Sequence, residues 1–145
     1  MSEYSSGSVT IDSSAADIFT ILKDLEGYPA WSASIKSVEV AERDAADNPT
    51  KVTYKVEAGV LKDRVALDYD WSKSPTEISF TLEEANLLTE MSGTFSLKAL
   101  DEDSTEVTYK LKVDLSMPVP DIMRRKQEQA TIDQELAKLK SRAES

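Results

Sequence analysis

The C-terminal stretch from Pro118 to Ala143 is the feature that most constrains the fold. It is the only run long enough, and free enough of Gly and internal Pro, for a helix of roughly 20 residues or more, which at about 1.5 Å per residue spans roughly 30 Å. Its second half carries apolar residues at the spacing of a core-facing helix stripe: Ile132, Leu136, Leu139 and Ala143. We therefore predict one long helix that crosses a small domain and packs through this stripe.

The first half of this helix lacks the stripe. The same spacing reaches Gln129 and Arg125 before an apolar residue returns at Ile122. One interpretation is that the helix rotates slightly, or that Arg125 extends out of the core with its apolar stem packed. The other is that Gln129 and Arg125 point into a cavity and orient a carbonyl or carboxylate group of an apolar ligand. Arg124, Arg125 and Lys126 oppose the helix dipole in the first two turns, and a bound anion would offset that cost, so we favour the cavity.

Length and charge limit the classes of partner. A chain of 145 residues predicts a single domain, over residues 1–145, with a sizeable hydrophobic core. Lys and Arg number 17 against 27 Asp and Glu, which gives a net charge of -10. Phosphate backbones and anionic lipid headgroups repel a molecule this acidic, so we expect no nucleic-acid partner.

The chain contains no cysteine and no histidine. This excludes disulfides, thiolate nucleophiles and Cys-ligated metals, together with the commonest general base and the commonest neutral metal ligand. The glycines form no phosphate-binding cluster, and the acidic turn at Asp101–Asp103 lacks the spacing of a calcium loop. We therefore expect no metal site and no cofactor.

The N-terminal residues show neither the basic segment nor the apolar segment of a secretory leader. No apolar run reaches the length of roughly 18 residues that a membrane-spanning helix needs. We expect a cytoplasmic protein with no integral membrane association.

Much of the chain before the long helix alternates between apolar and polar residues. A short strand at Val9–Asp12 precedes a helix that begins at Ser13 or Ser14 and ends at Gly27, and a turn or short helix with Pro and Trp follows. The next six predicted strands are Ile35–Glu42, Lys51–Ala58, Arg64–Ser72, Glu77–Glu84, Met91–Leu100 and Glu106–Leu115. Their alternation is typical of an antiparallel sheet that is covered on one side only.

The long helix is the only element able to cover this sheet. Consecutive strands form a meander, and a one-sided sheet must bury its apolar face, so we predict an α+β fold in which a curved sheet wraps around the C-terminal helix. A strongly curved sheet and a single helix cannot close perfectly at both ends. We therefore expect an internal cavity at one end.

Two segments carry a family resemblance: the D-L-E-G-Y-P-A-W turn at Asp24–Trp31 and the L-A-K-L-K-S-R-A-E ending at Leu136–Glu144. With the meander between them, the chain from about Val9 to Glu144 resembles the START-related (SRPBCC) superfamily in its polyketide cyclase/dehydrase branch, of the small actinobacterial type. The resemblance implies the helix-grip fold, in which about seven antiparallel strands surround a long C-terminal helix and a hydrophobic ligand cavity. Members include lipid carriers, hormone-binding proteins, aromatase/cyclases and allergens, so the resemblance indicates the fold better than the function.

Inward-facing aromatic residues of the strands are the main candidates for a ligand site. Most such residues are simply core, but buried phenols need hydrogen-bond partners, which a cavity holding water or ligand supplies more easily than a dry core does. The predicted ligand-binding set is Tyr54, Tyr69, Trp71, Phe80, Met91, Phe95, Tyr109, Met123, Arg125 and Gln129.

Some other residues have two interpretations. Glu84 is either an exposed carboxylate at a strand end or a carboxylate at the cavity mouth that pairs with Arg125. The apolar pairs Val60–Leu61 and Leu87–Leu88 lie in predicted connections, where they suit a lid over a hydrophobic entrance. Three residues of the turn after the first helix are interpreted as structural, with lining of the cavity as the alternative: Tyr28, Pro29 and Trp31.

These patterns favour the binding or carriage of a hydrophobic small molecule, such as a lipid, fatty-acyl, polyketide or isoprenoid compound. The alternative is a cofactor-independent cyclase/dehydratase in which Arg125 and a tyrosine, Tyr69 or Tyr109, stabilise an enolate. A third possibility is a regulatory interaction domain with a vestigial cavity. We favour binding because the sequence shows no histidine and no close pair of acid and base.

Overall fold

The computed structural model describes residues 4–32, 34–58, 61–116 and 119–145, and gives only the backbone of Ala58 and Leu61. The elements in chain order are β1 (Ser5–Ile11), α1 (Ala15–Lys23), a 3₁₀ helix (Leu25–Ala30), β2 (Ile35–Arg43), β3 (Pro49–Ala58), β4 (Leu61–Asp70), β5 (Glu77–Ala85), β6 (Leu88–Asp101), β7 (Ser104–Leu115) and α2 (Asp121–Glu144).

The strands form one antiparallel sheet in the order β1-β7-β6-β5-β4-β3-β2. Strands β2 to β7 are the predicted meander, and the chain closes the order by pairing β1 with β7. Helix α1 and the 3₁₀ helix connect β1 to β2, and α2 lies against β1 and β7. The predicted α+β helix-grip architecture, with a seven-stranded curved sheet around a C-terminal helix, is confirmed.

Strand β1 begins earlier than the sequence suggests. It starts at Ser5, opposite Leu111 of β7, whereas we expected a strand only from Val9. A Cβ atom at Gly7 would lie 2.8 Å from Ile132 Cγ2 of α2, so the helix packs directly on the backbone of β1. A glycine at position 7 therefore allows the close approach of α2.

The elements between β1 and β2 follow their sequence signals. The hydroxyl of Ser14 accepts a hydrogen bond from Asp17 N at 3.1 Å and caps α1, whose Ile18 and Leu22 are buried. The Tyr28 hydroxyl donates to the carbonyl oxygen of Leu22 at 2.7 Å, which ties the 3₁₀ helix to α1. Tyr28 therefore fixes this turn, as in the first of its two interpretations, and it also lines the cavity described below, as in the second.

The second half of α2 forms part of the hydrophobic core as expected. Ile132, Leu136 and Leu139 are buried against the sheet. The first half presents a different face from the predicted one, because Arg124 and Glu128 are the buried residues there. This change determines which side chains reach the cavity.

Candidate functional site

A cavity of about 390 Å³ lies between the inner face of α2 and the concave face of the sheet. On the helix its lining runs from Met123 to Glu135, and the distance along the axis from Arg124 to Glu135 is about 16 Å at the α-helical rise. The described lining residues are Tyr28, Ser34, Ile35, Tyr54, Val56, Leu67, Tyr69, Phe80, Leu87, Leu88, Met91, Phe95, Tyr109, Leu111, Val113, Leu115, Val119, Met123, Arg124, Gln127, Glu128, Thr131 and Glu135.

Aromatic rings build much of the wall. The rings of Phe95 and Tyr109 stack with centroids 4.1 Å apart, and those of Tyr69 and Phe80 are 5.5 Å apart. The Phe80 ring lies directly over Gly93, where a Cβ atom would overlap the ring atom Cζ. The absence of a side chain at Gly93 therefore lets Phe80 lie flat along the wall.

Seven predicted ligand-binding residues line this one cavity. They come from β3 to β7 and from the start of α2, and they are Tyr54, Tyr69, Phe80, Met91, Phe95, Tyr109 and Met123. The inward parity of the strands was enough to place the first six together. Whether these side chains contact a ligand stays a prediction.

Three predicted residues lie outside the cavity wall. Trp71 packs behind the wall, with its ring stacked on Tyr69 at 5.7 Å and its indole N–H donating to the carbonyl oxygen of Pro49 at 2.6 Å. Gln129 donates to the carbonyl oxygen of Ser6 at 3.2 Å, at the edge of the sheet. Arg125 is exposed on the outer side of α2.

The correction on α2 has a geometric reason. From Ile132, a step of three residues reaches Gln129 and a step of four reaches Glu128, and both are compatible with a period of 3.6. We predicted the first path because it continues the spacing of Ile132, Leu136, Leu139 and Ala143 backwards along the helix. The structure follows the second, in which Glu128 and Arg124 face inward.

Arg124 and Glu128 form a buried ion pair. Arg124 Nη1 donates to Glu128 Oε2 at 2.9 Å, and the two side chains are 6% and 1% exposed. The carboxylates of Asp114 and Asp121 also lie within 4 Å of the guanidinium, at 3.6 Å and 3.7 Å. The guanidinium thus has three carboxylates around it.

The same pair completes the edge of the sheet. Among the described residues, the pairing of β1 with β7 begins at Ser5 opposite Leu111. Glu128 accepts a hydrogen bond from Val113 N at 2.7 Å, and Arg124 donates to Val113 O at 3.4 Å. Glu128 also accepts from the Ser5 hydroxyl at 2.8 Å, so the pair joins α2 to both strands.

A second buried carboxylate, Glu135, lies further along the cavity. Its Oε1 atom accepts hydrogen bonds from the hydroxyl groups of Ser32 at 2.6 Å and Ser34 at 3.0 Å. Ser32 in turn accepts from Ile35 N at 3.2 Å, which fixes it between the 3₁₀ helix and β2. We did not identify Glu135 from the sequence, although it lies three residues after Ile132 and hence on the same helix face.

Four buried phenols surround this part of the cavity. Burial raises the pKa values of Tyr28, Tyr54, Tyr69 and Tyr109, and the negative charge of Glu135 raises those of Tyr28, Tyr69 and Tyr109 further. All four are therefore protonated at neutral pH and can donate hydrogen bonds.

The phenols differ in their partners. The hydroxyl oxygens of Tyr54 and Tyr69 are 2.6 Å apart and share a hydrogen bond. Within the described part of the chain, no residue forms a hydrogen bond with the Tyr109 hydroxyl. Since Tyr109 lines the cavity, its hydroxyl is available to a bound molecule.

Apolar residues surround the end of the cavity near the start of α2. Leu87, Leu88 and Val119 line it together with Met123, which is 59% exposed. The predicted lid residue Val60 and the side chain of Leu61 lie outside the described part of the structure. Glu84 is exposed on β5 and does not line the cavity, in agreement with the first of its two interpretations.

A buried aspartate holds the turn that carries Leu87 and Leu88. Asp63 accepts hydrogen bonds from the backbone N–H groups of Arg64, Asn86, Leu87 and Leu88, at distances from 2.7 to 3.1 Å. Burial acts to raise the pKa of this carboxyl, but the four backbone donors outweigh burial and hold the pKa below its ordinary value. Asp63 shares the inward parity of the buried residues of β4, a signal that we overlooked.

Two kinds of site were not found in the described residues. They contain no cluster of acidic side chains suited to hold a metal ion. No helix among them is long and apolar enough to cross a membrane.

The comparisons with known proteins agree with this geometry. Residues 5–144 match the model of the family described as polyketide cyclase / dehydrase and lipid transport. The chain belongs to this family. No curated protein sequence matches it.

Solved structures similar to this family member share its fold. A START superfamily protein from Mycobacterium smegmatis is 26% identical with a TM-score of 0.93, and the match covers 99% of this chain and 98% of that one. An aromatase/cyclase from Streptomyces is 18% identical with a TM-score of 0.80, covering 98% and 93%. A di-domain ARO/CYC protein from the steffimycin biosynthetic pathway is 13% identical with a TM-score of 0.67, and the match covers 95% of this chain and 45% of the longer protein.

Proposed function

We propose that this protein binds a hydrophobic small molecule in the cavity between α2 and the sheet. The observation that carries the proposal is the cavity itself, which has about 390 Å³ of space inside a wall of aromatic and aliphatic side chains. Volumes of roughly 300–1,000 Å³ with a few placed polar groups are typical of small-molecule sites. A ligand that fills a space of this size gains dispersion contacts with the surrounding side chains.

Carriage or storage follows from the same geometry. The family description names lipid transport, and the apolar end of the cavity at Met123, Leu87 and Leu88 offers a path for an apolar ligand to enter. A lipid, fatty-acyl, polyketide or isoprenoid skeleton matches the apolar wall.

Native mass spectrometry of the protein purified from its own cells tests this proposal. We expect a co-purifying molecule, and we expect hydrophobic compounds to raise the melting temperature by mass action. Substitution of Thr131, which lines the cavity, by phenylalanine should fill the space and abolish the thermal shift. Ala130→Phe, on the exposed side of the same helix, is the matched control and should leave the shift unchanged. The proposal is contradicted if the purified protein carries no small molecule and no apolar compound raises its melting temperature.

A cyclase/dehydratase activity is the second candidate, and one observation favours it. Glu135 and the Tyr109 hydroxyl line the same apolar cavity, so a base and a proton donor are available to one substrate. Arg125, which we had assigned to enolate stabilisation, faces away from the cavity and does not have this role. The roles would pass to Glu135 as base and Tyr109 as donor.

Turnover of a poly-β-ketone substrate tests the second candidate. We expect the loss of one hydrogen-bond donor in Tyr109→Phe to reduce kcat by about 10²-fold, and Glu135→Gln to reduce it at least as much. Turnover that is unchanged in both variants would exclude these roles.

A further inference from the structure

We propose that the ligand of the cavity is an uncharged apolar compound with a hydroxyl group, an alcohol or phenol, whose hydroxyl binds between Glu135 and Tyr109. Carboxylate ligands such as fatty acids are excluded by the charges at the two ends of the cavity. This inference rests on the proposed function, because it names the chemical class of ligand for that site.

The first argument is the charge at the Glu135 end. The carboxylate is 4% exposed and two serine hydroxyls, from Ser32 and Ser34, hydrogen-bond to its Oε1 atom. Two donors stabilise a carboxylate but leave its charge in place, and in a partly dehydrated cavity that charge repels an anion strongly. A carboxylate has about four lone-pair sites, so it can also accept a hydrogen bond from a ligand hydroxyl.

The second argument is the Tyr109 hydroxyl. It lines the cavity and has no hydrogen-bond partner among the residues that the structure describes. A ligand hydroxyl is both donor and acceptor, so it can donate to Glu135 and accept from Tyr109 at the same time. A hydrocarbon would satisfy neither group.

The third argument concerns the opposite end, where an anion would have to bind instead. Arg124 is the one cation among the described lining residues. Glu128, Asp114 and Asp121 lie within 4 Å of its guanidinium, so this cation is already paired with carboxylates of the protein. The described lining residues therefore offer an anionic ligand no unengaged cation, and the net charge of -10 on the whole chain also disfavours anions.

The other cations of α2 do not change this balance. Arg125 and Lys126 are exposed and absent from the lining. The expectation of a bound anion came from Arg124, Arg125 and Lys126 in the first two turns of α2. Of these three residues Arg124 alone lines the cavity, and three carboxylates lie within 4 Å of it.

Isothermal titration calorimetry with three matched probes tests the inference: naphthalene, 2-naphthol and 2-naphthoate. They share one planar apolar body, which suits the aromatic wall, and differ in one group. We expect 2-naphthol to bind about fivefold more tightly than naphthalene, the effect of one net hydrogen bond. We expect 2-naphthoate to bind at least about tenfold more weakly than 2-naphthol.

Variants attribute these ratios to particular groups. Glu135→Gln removes the charge and keeps the shape, so the penalty on 2-naphthoate should fall at least about threefold. Asp133→Asn removes one charge from the exposed side of the same helix and should leave the ratio unchanged, which controls for the net charge of the protein. Tyr109→Phe removes the donor to the ligand hydroxyl, so it should reduce the advantage of 2-naphthol over naphthalene.

The outcomes separate this inference from the function on which it rests. If none of the three probes binds, the proposed function fails, and this inference fails with it. If naphthalene binds but 2-naphthoate binds as tightly as 2-naphthol, the cavity is a ligand site and the inference about its chemistry is overturned. An equal ratio in the wild type and Glu135→Gln also overturns it. If Glu135→Gln does not fold, as circular dichroism would show, the wild-type ratios and Tyr109→Phe still decide.

Discussion

The carboxylate of Glu128 accepts a hydrogen bond from the backbone amide of Val113 at 2.7 Å, so a helix side chain satisfies a backbone group of β7. Among the described residues, the pairing of β7 with β1 reaches Leu111, two residues before Val113. Arg124 binds both Glu128 and the carbonyl oxygen of Val113. The buried ion pair therefore satisfies backbone groups that would otherwise lie unpaired beside the cavity.

We expect removal of one member of this pair to cost much more than removal of both. Glu128→Leu leaves Arg124 without its nearest carboxylate and Val113 N without an acceptor, at a cost of about 3–5 kcal/mol in the free energy of unfolding. In the double variant Arg124→Met with Glu128→Gln, the glutamine oxygen still accepts from Val113 N and no buried charge remains. Urea denaturation should show the double variant to be more stable than Glu128→Leu.

The ion pair of Arg64 and Glu39 supplies the control. Its charged atoms are 3.4 Å apart, and both side chains are exposed. Glu39→Gln should change the free energy of unfolding by less than about 1 kcal/mol. A double variant less stable than Glu128→Leu would show that the ion pair itself stabilises the fold.

The pair also shows why the sequence predicted the sheet better than the helix face. The period-two pattern of β3 to β7 depends on local alternation, so it placed on one face six of the seven predicted residues that line the cavity. The inward orientation of the Glu128 side chain depends on its hydrogen bond with Ser5, which is 123 residues away, and on a strand edge that exists only in the folded sheet. Glu135 was missed for the same reason, since its partner Ser32 is 103 residues away. A charged residue with distant partners looks like a solvent-facing residue until the fold is known.

Gly7 marks the closest contact between α2 and β1. We expect Gly7→Ala to push Ile132 and the helix away from the sheet and to cost about 1–3 kcal/mol, as overpacking generally does. Ile132→Ala removes the Cγ2 atom that a Cβ at position 7 would contact. The cost of the two changes together should therefore be less than the sum of the single costs, as measured by a double-mutant cycle in urea. Strictly additive costs would show that the contact is not responsible.

Asp63 should make the stability of the fold depend on pH. Its pKa is lowered in the folded state from an ordinary value of 3.8, because four backbone N–H groups bind the ionised form. A carboxyl with a depressed folded-state pKa stabilises the protein fully above its unfolded-state pKa, and this contribution is lost as the pH falls through the folded-state pKa. We expect Asp63→Asn to lose about 1–3 kcal/mol at neutral pH, and the deficit to shrink well below pH 3.8.

Urea denaturation of the wild type and of Asp63→Asn, at neutral pH and well below pH 3.8, measures the difference in the free energy of unfolding. Hydrogen exchange at Leu87 and Leu88 should quicken in Asp63→Asn, since their amides lose their acceptor. Glu84→Gln, an exposed change on the same hairpin, is the control and should leave both measurements unchanged. A deficit that stays constant down to the lowest pH would mean that the charge of Asp63 has no part in holding the turn.

Gly93 should control the shape of the cavity through Phe80. An added Cβ overlaps the Phe80 ring, and the ring cannot move into the strand beneath it, so it must turn into the cavity or lift the strand. We expect Gly93→Ala to lower the free energy of unfolding by about 1–3 kcal/mol and to weaken the binding of naphthalene. Adding Phe80→Leu removes the overlapping ring atoms and should restore much of the stability. Because leucine is smaller than phenylalanine, the double variant should also accept bulkier apolar ligands than the wild type does. If Gly93→Ala binds naphthalene as the wild type does, the Phe80 wall does not set the ligand space, and the site would have to be sought nearer to Phe95 and Tyr109.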